Sequence, residues 1–168
     1  MKRLAALLLV AVLSGCGPHA HGSPGPSGPY TAIGPLFMSA DQLRSESKSL
    51  GTPIYWAGPE KGVHYEFSRT TLGYLFVRYV PKGKPVGAQP GGFLTVGTYP
   101  HSEAFQAVKQ EAGGHSLHGP HGSVVYPRPK GTSVLLAFPR GEYEIEVFDP
   151  IGAVAKAIAT SGQVRTVR

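Results

Sequence analysis

Two stretches of this 168-residue chain, FLTVGTYPHSEAFQAVK (93–109) and YEIEVFDPIGAVAKAIA (143–159), carry the same order of strand-like and helix-like residues. In each, an extended apolar run reaches a proline and then passes into an amphipathic helical pattern. Each is preceded by two further strand-like runs: Val63–Ser68 and Tyr74–Val80 before the first, Ser123–Tyr126 and Thr132–Phe138 before the second. Strands that arrive in runs of three between helices do not fit a parallel sheet, which needs a crossover between neighbouring strands. The pattern predicts an α+β fold with an antiparallel-rich sheet and with its two later helices on one face. Pro139-Arg140-Gly141, between two strand-like runs, supports hairpin pairing.

An offset of 50 residues superposes the two prolines and the pairs Phe93/Tyr143, Ala107/Ala157 and Val108/Ile158. Two readings stay open: a βββα unit that occurs twice, or two ordinary α+β units built by the same packing rules. The helical segments have visible limits. Ala104, Phe105, Val108 and Ala112 form one face of the first, with Gly113-Gly114 as its stop. The second is expected to start at Pro150 with Asp149 as its cap, to bury Ile151, Val154, Ala155 and Ile158, and to end at Gly162. Upstream, Ser39 and Gln42 stand in capping-box positions, and Met38 and Leu43 at the spacing of a hydrophobic staple. That helix, closed by Gly51 and Pro53, has only Leu43 and Leu50 as strong apolar contacts, so it reads as a surface helix laid across the core. Tyr74–Val80, apolar on both sides except at Arg78, reads as a central strand.

The amino-terminal region has a different character. Lys2 and Arg3 precede an apolar run from Leu4 to Leu13, followed by Ser14-Gly15-Cys16. The order Leu13-Ser14-Gly15-Cys16 resembles the lipobox of bacterial lipoprotein precursors. That resemblance implies cleavage after residue 15, a diacylglyceryl group on the Cys16 thiol, and a place on the extracytoplasmic face of the cell membrane. The body also resembles small secreted lipoprotein domains of high-GC Gram-positive bacteria, a likeness that assigns no site residues. Cys16 is the only cysteine, so no intramolecular disulfide is available and stability must come from a hydrophobic core. Residues 17–29, GPHAHGSPGPSGP, contain almost no apolar side chains and read as a tether that cannot offset the entropy of ordering. The expected organisation is a signal peptide at 1–15, a lipidated cysteine and tether at 16–29, and one α+β domain at 30–168.

From Cys16 onward the chain has 14 basic and 10 acidic residues, a mild positive balance that favours residence near anionic lipids or an anionic wall polymer. The basic residues are scattered, and no dense Lys/Arg run points to nucleic acid. Two loops draw attention. Pro81–Gly92 is long, contains Lys82 and Lys84, and is a candidate partner-binding segment. Residues 113–122, GGHSLHGPHG, space His115, His118 and His121 by three, which could fold imidazoles around zinc, copper or nickel. A solvated linker is the plainer account, because the loop offers no carboxylate or thiol to complete or orient such a site.

Nothing in the residues announces catalysis. There is no phosphate loop and no serine in a nucleophile elbow, and the single cysteine is assigned to lipid. His64 and Glu66 on one strand face, and the carboxylates Glu142, Glu144, Glu146 and Asp149, are better explained as exposed strand pairing and a solvent-facing pattern. The leading expectation is therefore a membrane-anchored, non-catalytic binding domain without cofactor, whose partner is an envelope protein or cell-wall polymer. A carrier of lipid or small apolar ligands on an uncovered sheet face comes second, and a metal-binding lipoprotein through the histidine loop third.

Overall fold

The computed structural model describes residues 28–89, 92–129 and 131–168. The expected signal peptide at 1–15, Cys16 and most of the expected tether lie outside the described residues. In chain order the elements are β1 (Ile33–Met38), α1 (Ala40–Leu50), β2 (Tyr55–Trp56), β3 (Val63–Arg69), β4 (Leu75–Pro81), β5 (Thr95–Pro100) and α2 (Ala104–Ala112). They continue with β6 (Leu117–His118), a 3₁₀ turn (Pro120–Gly122), β7 (Val124–Pro127), β8 (Ser133–Ala137), β9 (Tyr143–Phe148), α3 (Gly152–Ser161) and β10 (Arg165–Thr166).

Eight strands form one antiparallel sheet in the order β1-β3-β4-β5-β9-β8-β7-β6, and β10 pairs with β2 in a separate two-stranded ribbon. The α+β class and the antiparallel pairing are as the strand runs predict. β3-β4-β5 and β7-β8-β9 are both meanders, joined where β5 pairs with β9. β4 is an interior strand, as its two-sided apolar run requires.

The capping box at α1 is formed: the Gln42 N–H donates to Ser39 Oγ at 3.2 Å and the Ser39 N–H to Gln42 Oε1 at 2.7 Å. Gly51 and Gly113 end α1 and α2 in the left-handed conformation, which costs a residue without Cβ least. β1 is a strand that the sequence pattern does not reveal. Gly34-Pro35 interrupts its alternation, and the pairing register with β3 shifts between Ile33 and Leu36. Proline is tolerated there because β1 is the sheet edge and the interruption is a bulge.

The helices do not share a face. Ala155 and Ala159 of α3, with Leu43 of α1, pack in the core that contains Phe67, Val77, Val96, Val125, Leu136, Ile145 and Val147. Ala104, Val108 and Ala112 of α2 pack in a second core with Val124, Tyr126, Leu135 and Ala137, on the opposite side of the same strands. The reason lies in β8. Val134 and Leu136 point one way and Leu135 and Ala137 the other, all buried, so this part of the sheet needs cover on both sides.

The buried stripe of α3 also differs from expectation. Ile151 is 63% and Val154 38% exposed, and the helix begins two residues after Pro150. Asp149 accepts the Ile151 N–H at 2.8 Å, which holds the chain extended before the first turn. A Cβ on Gly152 would lie 2.7 Å from the Gly131 carbonyl oxygen, so the helix approaches the β7–β8 loop closely and buries small alanines rather than large side chains. At the 50-residue offset, buried Val96 falls on Glu146 and buried Ala104 on exposed Val154. The element order recurs, but buried positions do not superpose, and the two helices lie on opposite faces, so the structure gives a duplicated unit no support.

Candidate functional site

The site is built where the two-stranded ribbon crosses the continuous core. Ile54, fully buried, accepts the Val167 N–H at 2.9 Å, and Arg165 and Thr166 lie opposite Trp56 and Tyr55. Val164 and Val167 are buried and anchor the segment, which leaves Arg165 and Arg168 exposed. Below the ribbon, Thr98 Oγ1 in β5 accepts the Tyr55 N–H at 3.3 Å. The Tyr79 hydroxyl accepts the Ala57 N–H at 2.7 Å and donates to the Gly58 carbonyl at 2.9 Å. Burial, only partly opposed by the Ala57 N–H, holds Tyr79 well above the usual tyrosine range, so it stays a neutral donor at this post.

A groove of about 500 Å³ opens beside this ribbon, with Tyr55, Phe138 and Val164 as apolar lining and Arg165, Arg168 and His121 as polar lining. Tyr55 stacks on Phe138 with ring centroids 5.9 Å apart and planes 17° from parallel, and tilts against Tyr143 at 6.5 Å. Burial, and then the neighbouring Tyr143, raises the Tyr55 phenol above its ordinary value, so the ring offers a neutral hydroxyl. His121 sits at φ 56° inside the 3₁₀ turn, a left-handed conformation that is uncommon for a residue with a side chain. The groove combines a flat apolar surface with guanidinium donors, a pairing suited to holding a ligand in one orientation.

The opposite face of the sheet carries charge, with Glu66 and Glu146 in closed pairs. Glu66 is 2% exposed, forms an ion pair with Arg78, and accepts the Gly87 N–H at 2.6 Å; Arg78 also donates to the Ala88 carbonyl at 2.9 Å and lies over the Phe93 ring at 5.5 Å. The strand face expected to be exposed at Glu66 is thus covered by the loop after β4, which folds back over it. His64 stacks on Phe37, with centroids 4.7 Å apart. Farther along the same face, Tyr99 donates to Glu146 at 2.7 Å and Arg128 pairs with Glu111 at 3.0 Å. Glu144 lies beside that pair. Burial first, and then repulsion from Glu111, raises its carboxyl above the ordinary value, against the opposing pull of Arg128 and His101.

The three loop histidines are not brought together. The His115 N–H bonds back to Ala112 at the end of α2, His118 is drawn into β6 opposite Val124, and His121 lines the groove. Pairing of β6 with β7 straightens the segment that a three-histidine site would have to curl. Among the described residues there is no group of three or more His, Cys, Asp or Glu side chains able to hold a metal ion. Lys82 and Lys84 lie in an exposed turn and do not line the groove. Of the groove's residues the sequence singles out His121, as a metal ligand rather than as part of an apolar recess, and it does not point to Val164, Arg165 or Arg168, because the tail after Gly162 is short; the signal available is the pair Val164 and Val167, apolar residues set between polar ones.

Among the described residues no helix is long and apolar enough to cross a membrane. Comparison with known protein families, with curated proteins and with solved structures finds no match for the chain.

Proposed function

We propose that this chain is a lipid-anchored extracytoplasmic binding domain, attached to the cell membrane through Cys16, spaced from it by residues 17–29, and taking its ligand in the groove beside β10. The observation that carries this reading is the groove itself: a preformed recess of about 500 Å³ with stacked aromatic rings and exposed arginines. Its size falls within the range of small-molecule sites. A non-catalytic role is favoured because Glu66 and Glu146 on the sheet and Glu111 on α2 are each engaged by a neighbouring side chain. Such pairing suits a structural task better than proton transfer.

The test has two arms. Fractionation of cells expressing the chain should find it in membranes, and Cys16→Ser should release it to the soluble fraction. A Cys16→Ser protein that stays membrane-bound would overturn the anchor. Native mass spectrometry of protein extracted from membranes should show a bound species that is lost in a Tyr55→Ala/Phe138→Ala double variant whose circular dichroism is unchanged. Retention of that species by the double variant would overturn the assignment of the groove.

A further inference from the structure

We infer that the groove beside β10 binds an anionic amphiphile, with a phosphate or carboxylate head on Arg165 and Arg168 and an apolar body against Tyr55, Phe138 and Val164. This rests on the groove being the ligand site and names the class of ligand. The charge argument comes first. Ion pairs among the described residues join Arg44 to Asp41, Arg78 to Glu66 and Arg128 to Glu111, so Arg165 and Arg168 have no carboxylate partner there. No acidic residue lines the groove. Two unpaired cationic groups beside one recess repel each other and are relieved by an anion.

The type of cation narrows the head group. A guanidinium presents donors in a planar fork that matches the paired oxygens of phosphate or carboxylate, which a lysine ammonium does not. The backbone that carries these forks is held in place: Arg165 lies opposite Trp56 in the ribbon, Val167 is bonded to Ile54, and the buried Val164 and Val167 bracket the strand. The Arg165 guanidinium rests beside Gly58, and both exposed arginine side chains are ordered by the ligand on binding, a cost that the ion contacts must exceed. His121, at the same groove, adds a ring donor.

The apolar lining then excludes a bare ion as the natural occupant. Inorganic phosphate would leave the Tyr55–Phe138 stack and Val164 in water. An amphiphile buries that surface at roughly 25 cal/mol per Å² while its head remains on the arginines at the exposed side. The same chemistry is offered by a free amphiphile and by an anionic lipid presented in a bilayer, and the experiment separates these sources.

Trp56 is the only tryptophan, is buried, and lies opposite Arg165, so its emission reports on the ribbon. The full chain carrying Cys16→Ser, which removes any acyl group of its own, is titrated by fluorescence and calorimetry. The probes are dodecyl phosphate below its micellar concentration, dodecyl maltoside, inorganic phosphate, and vesicles of phosphatidylglycerol. Dodecyl phosphate should bind more than about tenfold tighter than either the neutral amphiphile or inorganic phosphate, and Arg165→Ala/Arg168→Ala should weaken it by at least about tenfold. Lys82→Ala/Lys84→Ala, which alters two exposed charges outside the groove, should leave the affinity unchanged. Arginine-dependent binding to vesicles with no binding of the monomeric probe would identify the source as bilayer lipid.

Equal binding of dodecyl maltoside would overturn the anionic specificity and leave the groove as a site for neutral amphiphiles, and an equal loss in the lysine variant would overturn the assignment of the head group to Arg165 and Arg168. Absence of binding by every probe would overturn the inference as well, and the native mass measurement would then decide separately whether the groove holds a ligand of another class.

Discussion

Leu135 and Leu136 are neighbours in β8, equally buried, and belong to different cores. Leu136 faces the side on which α1, α3 and the β2–β10 ribbon lie over a core that runs from Phe67 through Val77 and Val96 to Ile145. Leu135 faces the side where α2 covers β7, β8 and part of β9, and where a loop pinned to the Glu66–Arg78 ion pair lies over part of β3 and β4. One face is closed by apolar packing and the other by a helix plus electrostatics. The groove sits on the first face, where the platform beneath it is continuous.

That contrast makes ordered predictions. Leu136→Ala should cost the most, about 4 kcal/mol in urea unfolding, and Leu135→Ala about 2–3 kcal/mol, because the smaller core beneath α2 can collapse further into the space left. Equal losses would mean that the two cores act as one unit. Arg78→Met strands Glu66 as a buried carboxylate and should cost about 3 kcal/mol, whereas Glu66→Gln together with Arg78→Met should recover much of that loss. A double variant no better than the single would show that the loop, not the charge pair, holds this side. Gly152→Ala should cost about 1–3 kcal/mol despite alanine's better helix propensity, since its methyl group meets the Gly131 carbonyl. A stabilised Gly152→Ala protein would show that the approach of α3 to the sheet can relax.

The smallest effect is one of sign. A carboxyl raised in the folded state favours folding when protonated, so the contribution of Glu144 is fully present below its unfolded pKa and is lost as pH rises through the raised folded value. Glu144→Gln should therefore gain stability relative to the parent as pH increases toward neutrality, and the two should converge in acid. Thermal unfolding across pH 3 to 8 measures this, and a parent protein that gains on the variant with rising pH would contradict the burial of Glu144 beside Glu111.

Much of the architecture was legible because it rests on local pattern. The alternation in Val63–Ser68, the capping box at Ser39 and Gln42, the stop at Gly113 and the turn at Pro139-Arg140-Gly141 each carry their own physical cause within a few residues. The sides taken by the helices were not legible. The run Ser133–Ala137 is apolar at every position after the serine, which says that both sides are buried but not by what. The burial of Glu66 is hidden for a similar reason, since its cover comes from Gly87 and Ala88, some twenty residues away in a loop with no apolar periodicity. The groove depends on contacts between residues 54–56 and 164–168, a separation that no local pattern records.

That long separation has a kinetic consequence. Pairing β2 with β10 closes a loop of more than a hundred residues, so it draws on one of the largest ring closures the chain contains, and topologies with such closures fold slowly. The recess cannot exist in any partly folded form that lacks either strand. A compound that fits it would act as a selective trap for the completed protein, raising its unfolding temperature with the logarithm of its concentration above Kd and shielding residues 164–168 from proteases that sample the frayed ribbon.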